Sequence, residues 1–147
     1  MKYRKGTIDD IDNLKIMGKL LWPDSNDEEL IKSFEDTFAS PKEIAYVSQS
    51  ETGELTGFAI ISVRSEFVEG ATSSPVGYLE GIFVYPGYRK QEVGRHLVEL
   101  GEKWCKGKGC KQMGSDTAIT NTDSTEFHKN VGFHVTGKNT CFIKDLH

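Results

Sequence analysis

A nearly continuous apolar run lies between residues 79 and 85, and only Glu80 interrupts it. A run of this kind predicts a central β-strand that is buried on both faces. Pro86 and Gly87 follow directly and end the strand. The next segment predicts a helix over residues 93–108, with apolar positions at helical spacing at Val93, Leu97, Leu100 and Trp104. The chain is therefore expected to be organised around one strand, a short loop and a helix.

The flanking segments predict the remaining elements in the same way. Before the central strand, apolar positions at helical spacing predict two helices, at residues 8–22 and 27–40. The first helix is expected to open with a capping box at Thr7 and Asp10. Short strands are expected at 1–5, 44–48, 55–63, 111–116, 133–136 and 140–144, and a short helix at 121–131. The pattern alone therefore predicts a mixed α/β domain.

Composition narrows the class of protein without identifying it. The 147 residues suit one domain spanning 1–147, and 37% hydrophobic with 27% charged residues is usual for a soluble globular chain. A net charge of −4 argues against a general nucleic-acid binder. No apolar run approaches the length of a membrane span, and the basic start of the chain lacks the apolar stretch of a secretory leader. Neither a nucleic-acid partner nor a membrane partner is expected.

The cysteines and histidines predict neither a disulfide framework nor a metal site. Cys105, Cys110 and Cys141 are odd in number and lack a Cys-x-x-Cys spacing. A reducing cytoplasm is the simplest location for such a chain. The histidines likewise show no spacing typical of metal ligands.

The loop between the central strand and the following helix is suited to binding an anion. The first N–H groups of a helix have no partner inside the helix, and the helix dipole adds roughly half a positive charge at that end. Arg89, Lys90 and Arg95 add basic side chains around this point. A pyrophosphate held here would let the rest of its ligand lie along the strand that carries Glu80.

This segment resembles the central motif of the GNAT superfamily of acetyltransferases, whose loop reads Arg/Gln-x-x-Gly-x-Gly/Ala and cradles the pyrophosphate of acetyl-coenzyme A. Arg89 and Gly94 match that motif, whereas Glu92 stands where its first glycine usually lies. Four segments in order also look like the aminoglycoside 6′-N-acetyltransferases: Leu21-Trp22-Pro23, Ser73-Ser74-Pro75, Leu79-Glu80-Gly81-Ile82-Phe83-Val84 and Ser115-Asp116-Thr117. The resemblance covers nearly the whole chain. It implies an α/β (α+β) GNAT fold with a mixed central sheet flanked by helices.

The resemblance also implies where acetyl-coenzyme A, as co-substrate, would bind. Backbone groups matching Ile82, Phe83 and Val84 would hold the pantetheine arm as an added strand, and one N–H would polarise the thioester carbonyl. The pyrophosphate would lie on the loop made by Arg89, Lys90, Gln91, Glu92, Val93, Gly94 and Arg95. Asn121 matches a cofactor contact of the family, although it could equally be a turn residue.

Acetyl transfer to an amine requires the amine to lose a proton. An amine with a pKa of ~10.4 is almost fully charged at neutral pH, so a nearby carboxylate can both bind it and accept its proton. Glu80 is the first candidate, because an unpaired charge in an apolar strand is costly, and its alternative is a salt bridge at the sheet surface. Asp116 is the second, and its alternative is a cap or turn carboxylate. The sequence does not divide the two roles between them.

Three further residues are candidates through the resemblance. His128 occupies the position of a family tyrosine that protonates the leaving thiolate, or it is a residue of the helix surface. Trp22 would form a wall of the acceptor site, or it plugs the loop between two helices. Phe67 would offer an aromatic contact to the acceptor, or it anchors its own loop.

The expected function is direct acetyl transfer from acetyl-coenzyme A to the 6′-amine of an aminoglycoside, within a ternary complex. The resemblance further implies antibiotic resistance and a homodimer, formed through the C-terminal strands. The alternatives are acetylation of another small amine (a polyamine, an amino-acid derivative or a peptide amine) and a low-turnover acyl-coenzyme A sensor. Glu92 is the feature that favours the sensor, since a carboxylate would weaken cofactor binding. A family acid is also missing between His134 and Asn139.

Overall fold

The computed structural model of the protein describes residues 1–146 and contains five strands and four α-helices in that range. The strands are β1 (Lys2–Lys5), β2 (Glu43–Gln49), β3 (Leu55–Arg64), β4 (Val76–Val84) and β5 (Met113–Ser115). The helices are α1 (Ile11–Leu21), α2 (Asp27–Ala39), α3 (Val93–Gly107) and α4 (Thr122–Asn130). The chain forms two compact units, one of residues 1–116 and one that begins at Thr117.

The first unit is built on one mixed sheet with the strand order β1-β2-β3-β4-β5. The first four strands are antiparallel neighbours, whereas β5 runs parallel to β4. A parallel neighbour requires a crossover connection, and α3 provides it. Because of this crossover, β5 ends beside the middle of β4.

Helices cover both faces of the sheet. On one face, Leu14 and Met17 of α1 and Phe34 of α2 pack against Phe58 of β3 and its neighbours in one buried cluster. On the opposite face α3 lies across β3 and β4. Gly101 allows this close packing, since a Cβ there would lie 2.7 Å from the buried side chain of Ile61. The strands bury every second residue in the cluster with α1 and α2. On the opposite face, α3 buries residues that recur at helical spacing.

A β-bulge places Glu80 in β4. Ile60 is paired with Gly81 and Ile61 with Leu79, so Glu80 is the extra residue on its strand. The middle of β4 is half-exposed at this point, although both ends of the strand are buried. The bulge therefore places the charged side chain of Glu80 at the half-exposed middle of a strand whose other residues are mostly apolar and buried.

Most predicted elements are confirmed, and two are wrong. Strands are absent at 133–136 and 140–144, because residues 133–146 form neither helix nor strand. Apolar residues alone do not make a strand, which also needs a neighbouring strand for its N–H and C=O groups. The strand expected at 111–116 is shorter than predicted, as β5 has three residues. That a single domain spans 1–147 stays a prediction.

Residues 1–146 contain neither a helix that could span a membrane nor a cluster of metal-ligating side chains. Every helix in that range is too short or too polar to cross a membrane. Within the same residues, no group of three or more His, Cys, Asp or Glu side chains is arranged to hold a metal ion.

We expect Gly101→Ala to destabilise the protein by ~1–2 kcal/mol, because overpacking against Ile61 outweighs the gain in helix propensity. Gly107→Ala is the matched control in the same helix, since a Cβ there meets nothing within 4 Å. The control is expected to be neutral or stabilising by up to ~1 kcal/mol. Urea unfolding of the two variants measures the difference, and equal stabilities would contradict close packing at Gly101.

Candidate functional site

Glu80 is held by two side chains of the neighbouring strand. Arg64 donates to both carboxylate oxygens, with Nη2 at 2.7 Å from Oε1 and Nε at 3.0 Å from Oε2. Ser62 adds a hydrogen bond from its hydroxyl to Oε2 at 2.5 Å. Hydrogen bonding to Glu80 is also the main cause that raises the pKa of Arg64. The salt bridge foreseen as one reading of Glu80 is therefore present, and it lies at a half-exposed position.

Asp116 is joined to the same cluster through Tyr78. The Tyr78 hydroxyl donates to Oδ2 of Asp116 at 2.5 Å, and the Arg64 guanidinium stacks over the Tyr78 ring at 3.5 Å from its centroid. Burial, followed by the hydrogen bond to Asp116, raises the pKa of Tyr78 to about 12. The ring fits because Gly114 is opposite it in β5, where a Cβ would lie 3.1 Å from the ring. Thus three adjacent strands bring Glu80 and Asp116 into one network.

Trp22 lies against the strand that carries Glu80. It follows the last residue of α1, packs on the core cluster, and has its ring centroid 6.0 Å from that of Phe58. A Cβ on Gly81 would lie 2.5 Å from the Trp22 ring, so the missing side chain makes room for the indole. Trp22 remains half-buried. The position of Trp22 agrees with the prediction that it plugs the loop between two helices. It also puts an aromatic ring next to Gly81, the residue after Glu80.

Phe67 lies on the loop between β3 and β4 and is 84% exposed, so it does not anchor that loop. The loop lines a shallow pocket of about 380 Å³, to which Phe67 and Val68 both contribute. Gln112 holds the loop in place, because its Oε1 accepts from the backbone N–H of Thr72 at 2.8 Å and from the Ser73 hydroxyl at 3.0 Å. An exposed ring on a fixed loop can pack on a ligand that enters from solvent.

The edge of β4 opens beyond the point where β5 stops. Pairing with β5 ends at Leu79, opposite Ser115, although β4 continues to Val84. In residues 1–146, therefore, the stretch with Ile82 and Phe83 has a strand partner on its β3 side and none on its β5 side. A strand with one unpaired edge can accept an extended ligand as an additional strand.

The loop after β4 contains two residues with strained backbones. Lys90 has φ 67° and Glu92 has φ 64°, both in the left-handed region that favours glycine. The Glu92 carboxylate accepts from Nε of Arg95 at 2.6 Å, one turn into α3. Arg89 turns back and donates from Nε to the Val84 carbonyl at 2.7 Å. A glycine at position 92 would relieve the strain, which gives a backbone reason for the glycine in the family motif.

The other members of the predicted loop have separate places. Gln91 is exposed, and its side-chain amide reaches the Gly87 carbonyl at 3.4 Å. Val93 is buried and begins α3, with Gly94 in its first turn. Of the basic side chains expected to face an anion, Arg89 and Arg95 are engaged with the protein itself.

Asn121 and His128 belong to the second unit. Oδ1 of Asn121 accepts from the backbone N–H of Ser124 at 3.0 Å and so caps α4. Nδ1 of His128 lies 2.7 Å from the Ser124 carbonyl. Because a carbonyl only accepts, Nδ1 carries a hydrogen, and a proton given to a leaving group would come from Nε2. The cofactor contact of Asn121 and the acid role of His128 stay predictions.

Sequence reasoning missed four residues of this site, namely Ser62, Arg64, Tyr78 and Gln112. A signal for the first three was available. Ser62 and Arg64 alternate along β3, and Tyr78 and Glu80 are likewise two apart along β4. Polar groups at period two on neighbouring strands indicate a shared face. Gln112 gave no such signal, since its contacts are with a loop.

Residues 14–133 match the model of the acetyltransferase (GNAT) family. The chain belongs to the GNAT family of acetyltransferases. This membership confirms the predicted fold class and the prediction of an acetyl-coenzyme A-dependent enzyme.

Several relatives carry a more specific name. An aminoglycoside N(6′)-acetyltransferase type 1 of Acinetobacter genomosp. 13 is 36% identical over 128 residues, which are 87% of each chain. The enzyme of the same name from Salmonella typhimurium is 34% identical over 136 residues, 92% of this chain and 93% of the relative. The solved structure of AAC(6′)-Iy with the bisubstrate analog CoA-S-monomethyl-acetylneamine is 31% identical, with a TM-score of 0.92 over 99% of this chain and 98% of that one.

We expect Glu92→Gly to stabilise the protein by about 1 kcal/mol and to lower the dissociation constant of acetyl-coenzyme A several-fold. The backbone strain is removed, and a carboxylate no longer competes with the pyrophosphate for Arg95. Calorimetric titration with acetyl-coenzyme A measures the binding, and urea unfolding measures the stability.

Glu92→Gln is the control, because it removes the charge and keeps the strained φ. It should tighten binding without stabilising the fold. An unchanged dissociation constant in both variants would contradict any role of Glu92 in weakening the cofactor site.

Stability at alkaline pH should depend on Tyr78. Its pKa is about 12 in the folded protein and ~10 in an unfolded chain, so the folded state holds this proton more tightly. The stabilisation is complete below pH ~10 and is lost as the pH rises towards 12. Urea unfolding at increasing pH should show a shallower loss of stability for Tyr78→Phe than for the wild type. Parallel losses in the two proteins would rule out the shifted pKa.

Proposed function

We propose that this enzyme acetylates the 6′-amine of aminoglycosides with acetyl-coenzyme A as the donor. The observation that carries the proposal is the pair of carboxylates, Glu80 and Asp116, joined through Arg64 and Tyr78. This pair stands beside the open edge of β4, where the donor is expected. The names of the relatives and the bisubstrate analog bound to AAC(6′)-Iy support the same acceptor.

The donor would lie along β4, with its thioester near the middle of the strand. Backbone groups of Ile82, Phe83 and Val84 would hold the pantetheine arm, because that edge has no strand partner beyond Leu79 in residues 1–146. One backbone N–H of this stretch would donate to the thioester oxygen as negative charge develops on it.

The loop that contains residues 89–95 would receive the pyrophosphate. The helix dipole at the start of α3 favours an anion there. Arg89 and Arg95 would have to exchange their present protein partners for phosphate oxygens. This exchange makes the loop a costlier anion site than one with free arginines.

Asp116 is the better placed of the two carboxylates to accept the amine proton. Asp116 accepts from a neutral hydroxyl, whereas Glu80 is held by a guanidinium and by a second hydroxyl. A carboxylate whose two oxygens are both bound by a guanidinium is less available to an incoming amine than one that accepts from a hydroxyl. The freed amine would then attack the thioester directly. The acid role that the resemblance implies for His128 stays a prediction.

Two aromatic residues complete the proposed acceptor site. Trp22 offers a half-buried ring next to Gly81, and Phe67 offers an exposed ring on the β3–β4 loop. Rings of this kind pack on sugar faces and attract ammonium groups. Neither carries a hydroxyl, so their contribution would be shape and charge attraction.

A low-turnover acyl-coenzyme A sensor is a second candidate, and one observation favours it. Glu92 occupies a strained backbone position in the pyrophosphate loop and pairs with Arg95. Both features would weaken the binding of pyrophosphate at this loop. An enzyme with fast turnover would keep the loop available to its donor. Cofactor binding without acetylation of any small cationic amine would support this function instead.

The deciding experiment measures thiol release from acetyl-coenzyme A with and without kanamycin or tobramycin. The proposal requires saturable release that depends on the acceptor, followed by mass detection of a product acetylated at the 6′-amine. Asp116→Asn should lower kcat by ~100-fold or more, as expected for removal of a general base. Glu80→Gln should also lose activity, because Arg64 would then face the cationic acceptor without its counter-ion.

Ser50→Ala is a suitable control for handling and folding, since Ser50 lies in the distant β2–β3 turn. It should retain wild-type activity. No release with any aminoglycoside, alongside clear binding of acetyl-coenzyme A, would refute the proposed acceptor and leave the family assignment intact.

We also propose that the chain forms a homodimer through its C-terminal segment. Phe142 and Ile143 are 92% and 97% exposed, and Leu146 is 88% exposed. Exposed apolar side chains grouped in one short segment are typical of protein interfaces. Sedimentation should find a dimer for the wild type and a monomer for the double variant Phe142→Ser, Ile143→Ser. Ile119→Ser, at another exposed position, is the control, and a monomeric wild type would refute the dimer.

A cytoplasmic location belongs to the same proposal. Cys105, Cys110 and Cys141 are all free thiols, and Cys141 is exposed. A reducing compartment preserves such thiols, and acetyl-coenzyme A is a metabolite of the cell interior. Fractionation of a bacterium that expresses the chain would test this location.

A further inference from the structure

Arg64 occupies the part of the proposed acceptor site where a bound cation would be expected. Its guanidinium makes a two-point contact with Glu80 and lies over the Tyr78 ring, 3.5 Å from the ring centroid. An ammonium group of an acceptor would look for the same two features, a carboxylate and an aromatic face. The protein thus supplies its own cation to a site that we propose for a cationic ligand.

The charges of the cluster can be counted from its three charged members, since the Tyr78 hydroxyl is neutral. Glu80 and Asp116 each contribute one negative charge, and Arg64 contributes one positive charge. The net charge facing an acceptor is therefore a single negative charge rather than two. This balance matters because the cluster is only partly screened, with side-chain exposures of 32% for Arg64 and 30% for Glu80.

We propose that Arg64 is a specificity-determining residue that masks Glu80 and so limits the preference of the site for highly charged acceptors. The inference rests on the proposed function, because it concerns the same acceptor site. Asp116 would then receive the reacting amine, while Glu80 and Arg64 together set how strongly the site attracts additional ammonium groups.

The geometry favours this role over a purely structural ion pair. A solvent-accessible ion pair contributes little to the stability of a fold, so stability alone is a weak reason for it. Arg64 also lies over the ring of Tyr78, which in turn holds Asp116, so the guanidinium is close enough to feel both carboxylates of the site. A guanidinium in that position acts on both negative charges.

Removing the charge of Arg64 should change acceptor preference in a direction that depends on acceptor charge. Arg64→Gln leaves both carboxylates uncompensated, and each additional ammonium group of an acceptor should then bind more tightly. Arg64→Lys keeps the charge and loses the two-point contact, so it should restore the wild-type preference. A structural loss would lower binding of all acceptors by one common factor.

The test is a set of calorimetric titrations at low and moderate salt with kanamycin, with neomycin, which carries more amino groups, and with spermine. For Arg64→Gln, we expect the preference for neomycin over kanamycin to rise roughly three- to tenfold relative to wild type and to shrink as salt is added. Arg64→Lys should show the wild-type ratio. The dissociation constant of acetyl-coenzyme A serves as an internal measure of folding in every variant.

The outcomes separate this inference from the proposed function. An unchanged ratio in Arg64→Gln, or a lysine variant that behaves like the glutamine variant, would overturn the role of Arg64 even if aminoglycosides are acetylated. Binding of spermine with a charge-dependent response, without acetylation of either drug, would support Arg64 and refute the proposed acceptor. A wild-type protein that binds none of the three cations overturns both.

Discussion

Backbone pairing of β4 with β3 along its length, and with β5 over only three residues, determines where each group of the site lies. The long ladder fixes the register that sets Ser62 and Arg64 beside the strand of Glu80. The bulge at Glu80 turns its carboxylate towards them. Within the described residues 1–146, the early end of the β5 ladder leaves the far half of β4 without a strand partner on that edge. The proposed acceptor and donor sites therefore both depend on the same pairing.

The sequence predicted the groups that depend on local pattern. The apolar run with one glutamate identified the strand of Glu80, and the end of a short strand identified Asp116. Resemblance supplied the expected chemistry of both. The alternation of Ser62 and Arg64 indicates a shared polar face, but the contact of Arg64 with Glu80 depends on register and on the bulge, which no single segment encodes. The predicted C-terminal strands failed for a related reason, since apolar alternation does not specify a pairing partner.

The charge of Glu92 is evident from the sequence, whereas its backbone conformation is evident only from the structure. The departure from a glycine was visible in the sequence, and its charge suggested repulsion of phosphates. Only the backbone dihedral angle reveals that the position itself requires a left-handed conformation. The carboxylate is then explained by its contact with Arg95, which offsets part of the strain. The loop is consequently both strained and self-paired before any ligand arrives.

The brevity of β5 has a consequence for how the protein responds to heat. Three residue pairs hold this strand, so it should open locally at a lower free energy than the long β3–β4 ladder. Asp116 directly follows β5 and would leave the site whenever the strand detaches. Backbone amides of 113–115 should therefore exchange with deuterated water sooner than those of β3. On warming, the catalysis that we propose for Asp116 would fade while most of the sheet is still folded.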